Sequence, residues 1–252
     1  MIKNHSFFSK SIVHYSLSIL LLVLCFTVIR LFLSNYTNKS NNELNNDKSS
    51  ISSHNLVEYT YVDDYDPKSL SGLNNSTLIY EYMDYNFNHI YKSLVETPMD
   101  KESGYNKSIK LNNTFDLPRF KILDLNDLEK ASANKANSIF VSFNGNISTN
   151  FIYKNGEYFY YKNKEPFIDL SNNSYLKVSN ILIQMCDEEF PNNHTVGKGN
   201  ALLFQGGKFI EIKWDNEIPP IRFYDKNGND ISLLNGKTWW LITNKNTSII
   251  YN

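Results

Sequence analysis

The hydrophobic pattern divides the chain into an apolar start, a polar stretch and a long region of short apolar runs. Residues 17–29 (LSILLLVLCFTVI) are almost wholly apolar, and apolar positions extend from about residue 11 to residue 33. A helix of roughly 20 apolar residues is long enough to cross a hydrocarbon core of about 30 Å. We therefore predict a transmembrane segment at residues 11–33 that contacts the lipid bilayer, preceded by a short cytoplasmic tail at residues 1–10.

An uncleaved signal anchor fits this segment better than a cleaved leader. A signal peptide ends in small residues, but Leu31, Phe32 and Leu33 follow the apolar run. A lipoprotein signal needs a small residue before the modified cysteine, whereas Leu24 precedes Cys25. A buried core helix is the remaining alternative. The short leading tail favours a cytoplasmic N-terminus, although the basic residues on the two sides of the span are nearly balanced.

The polar stretch at residues 34–55 has almost no apolar periodicity and is rich in Asn and Ser. Such a composition is typical of a solvated, disordered linker. The interpretation is a single-pass protein of the cell membrane whose remaining part lies outside the cytoplasm.

From residue 56 onward the pattern is mainly that of β-strands, with short runs rich in β-branched and aromatic residues. Asn155-Gly156, Gly206-Gly207 and Asn227-Gly228 are hairpin signals, because such turns need positive φ angles. The predicted strands are 57–62, 77–82, 139–143, 151–153, 158–162, 175–186, 201–205, 208–214, 221–225 and 238–243.

Two segments interrupt the strand pattern. Residues 99–114 are polar and are predicted to form a loop, and Asp124 or Asn126 would cap a helix over residues 127–137. The predicted fold is α+β and mainly antiparallel β, with a sandwich or barrel-like C-terminal domain preceded by one transmembrane helix.

Composition narrows the function classes. The formal net charge is -1, which provides no basic surface for nucleic acid. Aromatic residues make up 14% of the chain, too many for a disordered protein. No motif for a metal or a cofactor is found, and we expect neither. Cys25 lies in the apolar segment, so a disulfide with Cys186 is not expected.

Several motifs in the second half resemble those of the YerB-like lipoprotein family of Gram-positive bacteria, which carries a two-part domain of unknown function. The resemblance covers about residues 136–243 in the family's order, and a weaker match lies at residues 67–81. It rests on PFID (166–169), NILIQ (180–184), GKGNA (197–201), GKFI (207–210), FYDKNG (223–228), LNGKTW (234–239), SGL (71–73) and IYE (79–81).

The resemblance implies a shortened N-terminal YerB-like region at residues 56–135 and a C-terminal β-rich domain at residues 136–252. The family's arginine-containing stretch has no counterpart, and Asn88, His89 and Tyr91 occupy the region where an arginine is expected. Phe167 stands where the family usually has a histidine, and the anchor replaces the lipobox. A reduced relative of the family is the best description.

Five residues are candidates for function. Glu81 and Asp169 are the acidic residues within the family-like motifs, and a pair of carboxylates could serve a hydrolase. Trp214, Trp239 and Trp240 could stack on a sugar or contact a protein if one face were exposed. Trp239 and Trp240 are adjacent on a predicted strand, so they should point to opposite faces.

Other polar clusters have ordinary structural interpretations. His194 lies near the acidic residues 187–189, but the surrounding sequence is typical of a polar loop. Cys186 ends an apolar strand and is expected to be buried. The stretch 225–230 lacks the spacing of an EF-hand and is typical of a tight hairpin.

These observations favour a non-enzymatic module of the cell envelope that binds wall polymer or another envelope protein. A wall-directed hydrolase using Glu81 and Asp169 is the alternative, and a degenerate relative with only a structural role is a third hypothesis. The sequence alone identifies no substrate.

Overall fold

The computed structural model describes residues 56–64, 66–96, 104–105, 107–110, 117–118, 120–123, 134–162 and 164–252. The predicted anchor at residues 11–33 and the linker at residues 34–55 lie outside these residues. Within the described part of the chain, no helix is long and apolar enough to cross a membrane.

The described residues form short strands and two 3₁₀ helices, Pro67–Leu70 and Leu73–Asn75. The strands are β1 (Val57–Val62), β2 (Leu78–Met83), β3 (His89–Val95), β4 (Lys107–Lys110), β5 (Lys121–Leu123), β6 (Asn134–Lys135), β7 (Ser138–Ser142), β8 (Ser148–Lys154), β9 (Glu157–Lys162), β10 (Glu165–Pro166), β11 (Ile168–Asp169), β12 (Ser174–Tyr175), β13 (Lys177–Val178), β14 (Asn180–Met185), β15 (Lys198–Gln205), β16 (Lys208–Asp215), β17 (Arg222–Tyr224), β18 (Ser232–Leu234), β19 (Thr238–Thr243) and β20 (Ser248–Tyr251).

Two sheets dominate the fold. The larger has the order β17-β16-β15-β14-β19-β2-β3-β1-β4, with β6 paired to β16, and the smaller has the order β10-β9-β8-β7-β20, with β13 paired to β9. Most neighbours are antiparallel, whereas β19 is parallel to both β14 and β2. A mainly antiparallel β fold is therefore confirmed. Strands from the predicted N-terminal region and from the C-terminal domain share the larger sheet.

The core has two layers because the central strands of the larger sheet are buried on both faces, as in β19 and β2. One layer, which we call the inter-sheet core, contains Trp239 and Ile79 of the larger sheet together with Phe151 and Tyr160 of the smaller sheet. The other layer, the outer core, includes Trp240 and covers the opposite face of the larger sheet. The two sheets thus pack face to face as a sandwich.

Three local predictions were wrong. The end of the helix predicted at 127–137 is instead β6, which pairs with the edge of β16, and residues 124–133 lie outside the described part. Residues 107–110 of the predicted loop form β4, which pairs with β1. The long strand predicted at 175–186 is divided among β12, β13 and β14, because β13 pairs with the smaller sheet and β14 with the larger.

The predicted turns agree better with the structure. Asn155-Gly156 and Gly206-Gly207 have positive φ at both residues and connect β8 to β9 and β15 to β16. At Asn227-Gly228 only the glycine has positive φ. The Asp225 carboxylate accepts hydrogen bonds from the backbone N–H groups of Asn227 and Asn229, so this side chain shapes the turn.

Candidate functional site

Glu81 lies inside the protein, on the face of β2 that contributes to the inter-sheet core, and is fully buried. Its carboxylate accepts hydrogen bonds from the His89 ring, the Thr149 hydroxyl and the Trp239 indole N–H. The bond from His89 Nε2 is 2.7 Å long. The three donors come from β3, β8 and β19, so one carboxylate connects both sheets.

A second acidic residue lies on the other side of His89. Asp63 Oδ2 is 3.7 Å from His89 Nδ1, and the Lys162 ammonium donates a 2.6 Å hydrogen bond to Asp63 Oδ1. We call Asp63, Glu81, His89 and Lys162 the acid–histidine cluster. With His89 protonated, it balances two carboxylates with two cations in a buried place, as buried charges require.

The electrostatics favour the protonated histidine. Burial by itself lowers the pKa of His89, but the hydrogen bonds and charges of Asp63 and Glu81 outweigh it, so the pKa is raised. Tyr91 extends the network, because its hydroxyl lies 3.2 Å from His89 Nδ1 and 3.0 Å from the hydroxyl of Tyr160. Burial also raises the pKa of both tyrosines well above the usual value, so they remain neutral donors.

Access to the acid–histidine cluster is narrow. The recess beside Asp63, His89 and Lys162 has a volume of about 10 Å³, which is room for roughly one water molecule. Glu81 does not line this recess. The arrangement can therefore hold a proton and join two sheets, but it offers no space for a substrate at Glu81.

Asp169 is also fully buried, but backbone groups surround it. Its carboxylate accepts hydrogen bonds from the N–H groups of Gly72 (2.8 Å), Asn74 (2.6 Å) and Ser171 (2.9 Å), and from the Ser171 hydroxyl. Gly72 has a φ of 101°, a conformation that glycine adopts most easily. Asp169 thus attaches the segment around the second 3₁₀ helix to the β11–β12 hairpin.

A partly buried lysine accompanies Asp169. Lys237 donates hydrogen bonds from Nζ to the backbone oxygen (2.7 Å) and to Oδ1 (2.6 Å) of Asn74. Burial lowers the pKa of this ammonium to about 8, against the opposing attraction of Asp169. Within the described part of the chain Glu81 and Asp169 share no hydrogen-bond partner, so the two candidate carboxylates belong to separate clusters.

The three candidate tryptophans are all buried. Trp239 and Trp240 point to opposite faces of β19, as expected for adjacent strand residues, and lie in the inter-sheet core and the outer core respectively. The indole N–H groups of Trp240 and Trp214 donate to Gln184 Oε1 and to the Met185 backbone oxygen. The idea of an exposed tryptophan is therefore wrong, because each indole is 2% exposed or less.

The remaining polar candidates also have structural explanations. Cys186 is buried, and burial raises the pKa of its thiol to about 12, so a reactive thiolate is not favoured. His194 is exposed in the loop before β15. Among the described residues, no group of three His, Cys, Asp or Glu side chains could hold a metal ion.

Sequence reasoning missed Asp63, His89 and Lys162 as a group. Asp63 follows β1 and meets His89 through the pairing of β1 with β3, whereas Lys162 at the end of β9 is brought to them by the packing of the two sheets. The available signal was His89, a histidine at the start of a mainly apolar strand whose residues other than Lys92 are all buried. Such a signal marks a buried partner without identifying it.

Comparisons with known proteins agree with the fold. Residues 139–240 match a family model described as the C-terminal domain of a protein of unknown function, DUF3048. The crystal structure of YerB protein from Bacillus subtilis has a TM-score of 0.54, with 15% sequence identity over 79% of this chain and 94% of that chain. A comparison with curated protein sequences found no match.

Proposed function

We propose, from the match of residues 139–240 to the DUF3048 C-terminal domain and from the fold shared with YerB, that this chain is a non-enzymatic binding module of the cell envelope. In this proposal residues 11–33 anchor it in the membrane, and the β-rich part lies outside the cytoplasm. Its ligand is wall polymer or another envelope protein.

The main support for this proposal is that the two candidate carboxylates are buried and fully hydrogen-bonded within the protein. Glu81 accepts three side-chain hydrogen bonds, and Asp169 accepts four from backbone and side-chain donors. A general acid or base must reach the atom whose proton it transfers. Carboxylates that are fully buried and saturated with protein donors do not meet that requirement without rearrangement.

Two surface cavities away from these carboxylates could accommodate a ligand. A cavity of about 280 Å³ is lined by residues that include Thr77, Asn235 and Thr238, and another of about 250 Å³ by residues that include Met185 and Thr243. They lie at opposite ends of β19. Neither Glu81 nor Asp169 lines either cavity.

A wall-binding experiment tests the proposal against a hydrolase. The full chain, kept in mild detergent micelles, is incubated with insoluble wall sacculi, and both the sedimented protein and the released soluble fragments are measured. We expect the protein to sediment with the sacculi, or to be crosslinked in intact cells to one envelope protein, without releasing fragments.

The variants Glu81→Gln and Asp169→Asn separate the two activities. Each replaces a carboxylate by an amide of similar shape, and both should retain binding if they still fold. Fragment release by the wild type that disappears in folded Glu81→Gln or Asp169→Asn would establish the hydrolase instead.

Topology is tested separately by adding protease to intact cells. The β-rich part should be cut while a cytoplasmic marker survives. Recovery of a trimmed protein in the carbonate-soluble fraction, or protection of the domain while an external marker is cut, would contradict the anchored orientation.

A further inference from the structure

A notch opens at one end of the larger sheet, where β14 and β19 end in register and the first residues of β15 extend past them. The last pairs of β14 are Gln184 with Ala201 of β15 and Met185 with Thr243 of β19. Next to these pairs lies a cavity of about 250 Å³, lined by the residues that follow β14 and β19 and by the start of β15. We call this cavity the β14 notch. Its size is just below that of typical small-ligand sites.

The apolar residues that line the notch pack against the protein core. Met185, Cys186 and Ile249 line the floor of the notch, and Ile249 packs against the inter-sheet core. Gly199 also lines the notch and lies so close to Trp214 that a Cβ atom there would be 2.8 Å from Nε1 of the indole. Because Trp214 also donates to the Met185 backbone oxygen, this tryptophan reports on the floor of the notch.

The polar lining of the notch has more free donors than free acceptors. The Lys245 ammonium has no ion-pair or hydrogen-bond partner among the described residues, and Lys198 bonds only Glu217 there. Asn200 accepts a hydrogen bond from Lys213 at Oδ1, so its amide N–H groups stay available.

The two side-chain amide oxygens among the described residues that line the notch, those of Asn200 and Asn244, are already occupied. Asn244 Oδ1 accepts from the Asn246 N–H and from the Thr247 hydroxyl, while its amide donates to the Glu189 backbone oxygen. Asp187 is the one carboxylate among the described residues that line the notch, and it has no hydrogen-bond or ion-pair partner among them, so it opposes an anionic ligand. A surplus of N–H donors with two ammonium groups matches a ligand that only accepts hydrogen bonds.

We propose that the β14 notch binds an oxyanion, the phosphate or carboxylate group of an envelope polymer. Lys245 and Lys198 supply the positive charge, the Asn200 amide supplies a neutral donor, and the apolar floor carries the ligand's carbon skeleton. This inference rests on the proposed binding function, for which it names the chemical class of the ligand.

Titration with inorganic phosphate tests the inference. The full chain in neutral detergent is titrated at constant ionic strength, and tryptophan fluorescence and heat are followed; a parallel titration uses acetate. A saturable response to phosphate, to acetate or to both supports the proposal and identifies which oxyanion is preferred. The absence of a saturable response to either anion would overturn it.

Substitutions locate the binding. Lys245→Ala should weaken binding by about tenfold, since one charge-assisted hydrogen bond is worth roughly that much. Lys198→Ala should weaken it less because its ammonium already pairs with Glu217, and Asp187→Asn should strengthen it. Lys226→Ala is the matched control, an exposed lysine in the turn after β17. Equal weakening by Lys226→Ala and Lys245→Ala would mean diffuse attraction and would overturn the site.

The outcome can be separated from that of the proposed function. If sacculi or an envelope partner still bind while phosphate and acetate do not, the proposed oxyanion site is refuted but the proposed binding function is supported. If an oxyanion binds through Lys245 but neither sacculi nor an envelope partner binds, the notch stands as a site while the proposed envelope role fails.

Discussion

Glu81 and Asp169 are two carboxylates with the same burial and very different surroundings. Side chains from three other strands hold Glu81, whereas backbone N–H groups of two loops provide most of the bonds to Asp169. His89, whose pKa is raised, contacts Glu81, and Lys237, whose pKa is lowered, lies near Asp169. The first therefore connects sheets, and the second fixes local chain conformation.

This difference teaches that burial alone does not identify a catalytic acid. Both residues stand in motifs that resemble the same family, and the resemblance made them candidates together. Their hydrogen-bond partners assign each to a separate structural task.

The largest expected effect is that of Glu81→Ala. The change leaves His89, Thr149 and Trp239 without their acceptor and leaves a buried cation uncompensated, so we expect the free energy of unfolding to fall by about 4 kcal/mol. Urea unfolding of the full chain in detergent, followed by tryptophan fluorescence, measures it. Glu81→Gln is the control and should cost less. A loss below about 1 kcal/mol in Glu81→Ala would contradict a role in joining the sheets.

Asp169→Ala should lower the free energy of unfolding slightly less, by about 3 kcal/mol. The backbone N–H groups that bond Asp169 lose their acceptor, but no cation among the described residues bonds this carboxylate directly. The same unfolding experiment applies. Ser171→Ala removes only one hydroxyl donor and should cost about 1 kcal/mol. A larger loss for Ser171→Ala than for Asp169→Ala would show that the loops are held by other contacts.

Because of Lys237, we expect the folded protein to become more stable at high pH. Its pKa is about 8 in the folded protein against 10.5 for an ordinary, solvated lysine, so the unfolded chain binds more protons between these values. Stability should therefore increase as the pH rises from 8 to 10.5, by about 2 kcal/mol. The difference in unfolding free energy between wild type and Lys237→Met, measured across this range, isolates the effect. A difference that does not change with pH would contradict the lowered pKa of Lys237.

For His89 we expect stability to fall as the pH rises, which is the opposite of the Lys237 effect. The change should be the smallest of the four, because burial lowers the pKa of His89 while Asp63 and Glu81 raise it. Its pKa is raised in the folded protein, so its contribution is fully present below the unfolded pKa of about 6.5 and is lost as the pH rises through the folded pKa. Unfolding of wild type and His89→Gln at a series of pH values tests this. A difference that grows with rising pH would refute the charged histidine.

Much of the strand pattern could be predicted, because period-two alternation and turn residues are local properties. Val57–Val62 was predicted with its observed bounds, and the Asn155-Gly156 and Gly206-Gly207 hairpins appear where expected. β20 was missed, since the run Ser248–Tyr251 is short, and the parallel pairing of β19 with β14 and β2 was not predicted. Parallel partners are distant in sequence and leave no local signal.

The sequence by itself determined the β-rich class, the hairpins and the family resemblance, because these depend on neighbouring residues and on motifs read in order. It also selected Glu81 and Asp169 as unusual. Only the tertiary structure decided that Glu81 meets His89 across two strands, that Asp169 bonds the N–H groups of Gly72 and Asn74, and that the tryptophans are enclosed. The Glu81–His89 contact depends on the register of the β2–β3 pair, and the Asp169 contacts join residues more than 90 positions apart, so neither follows from local sequence.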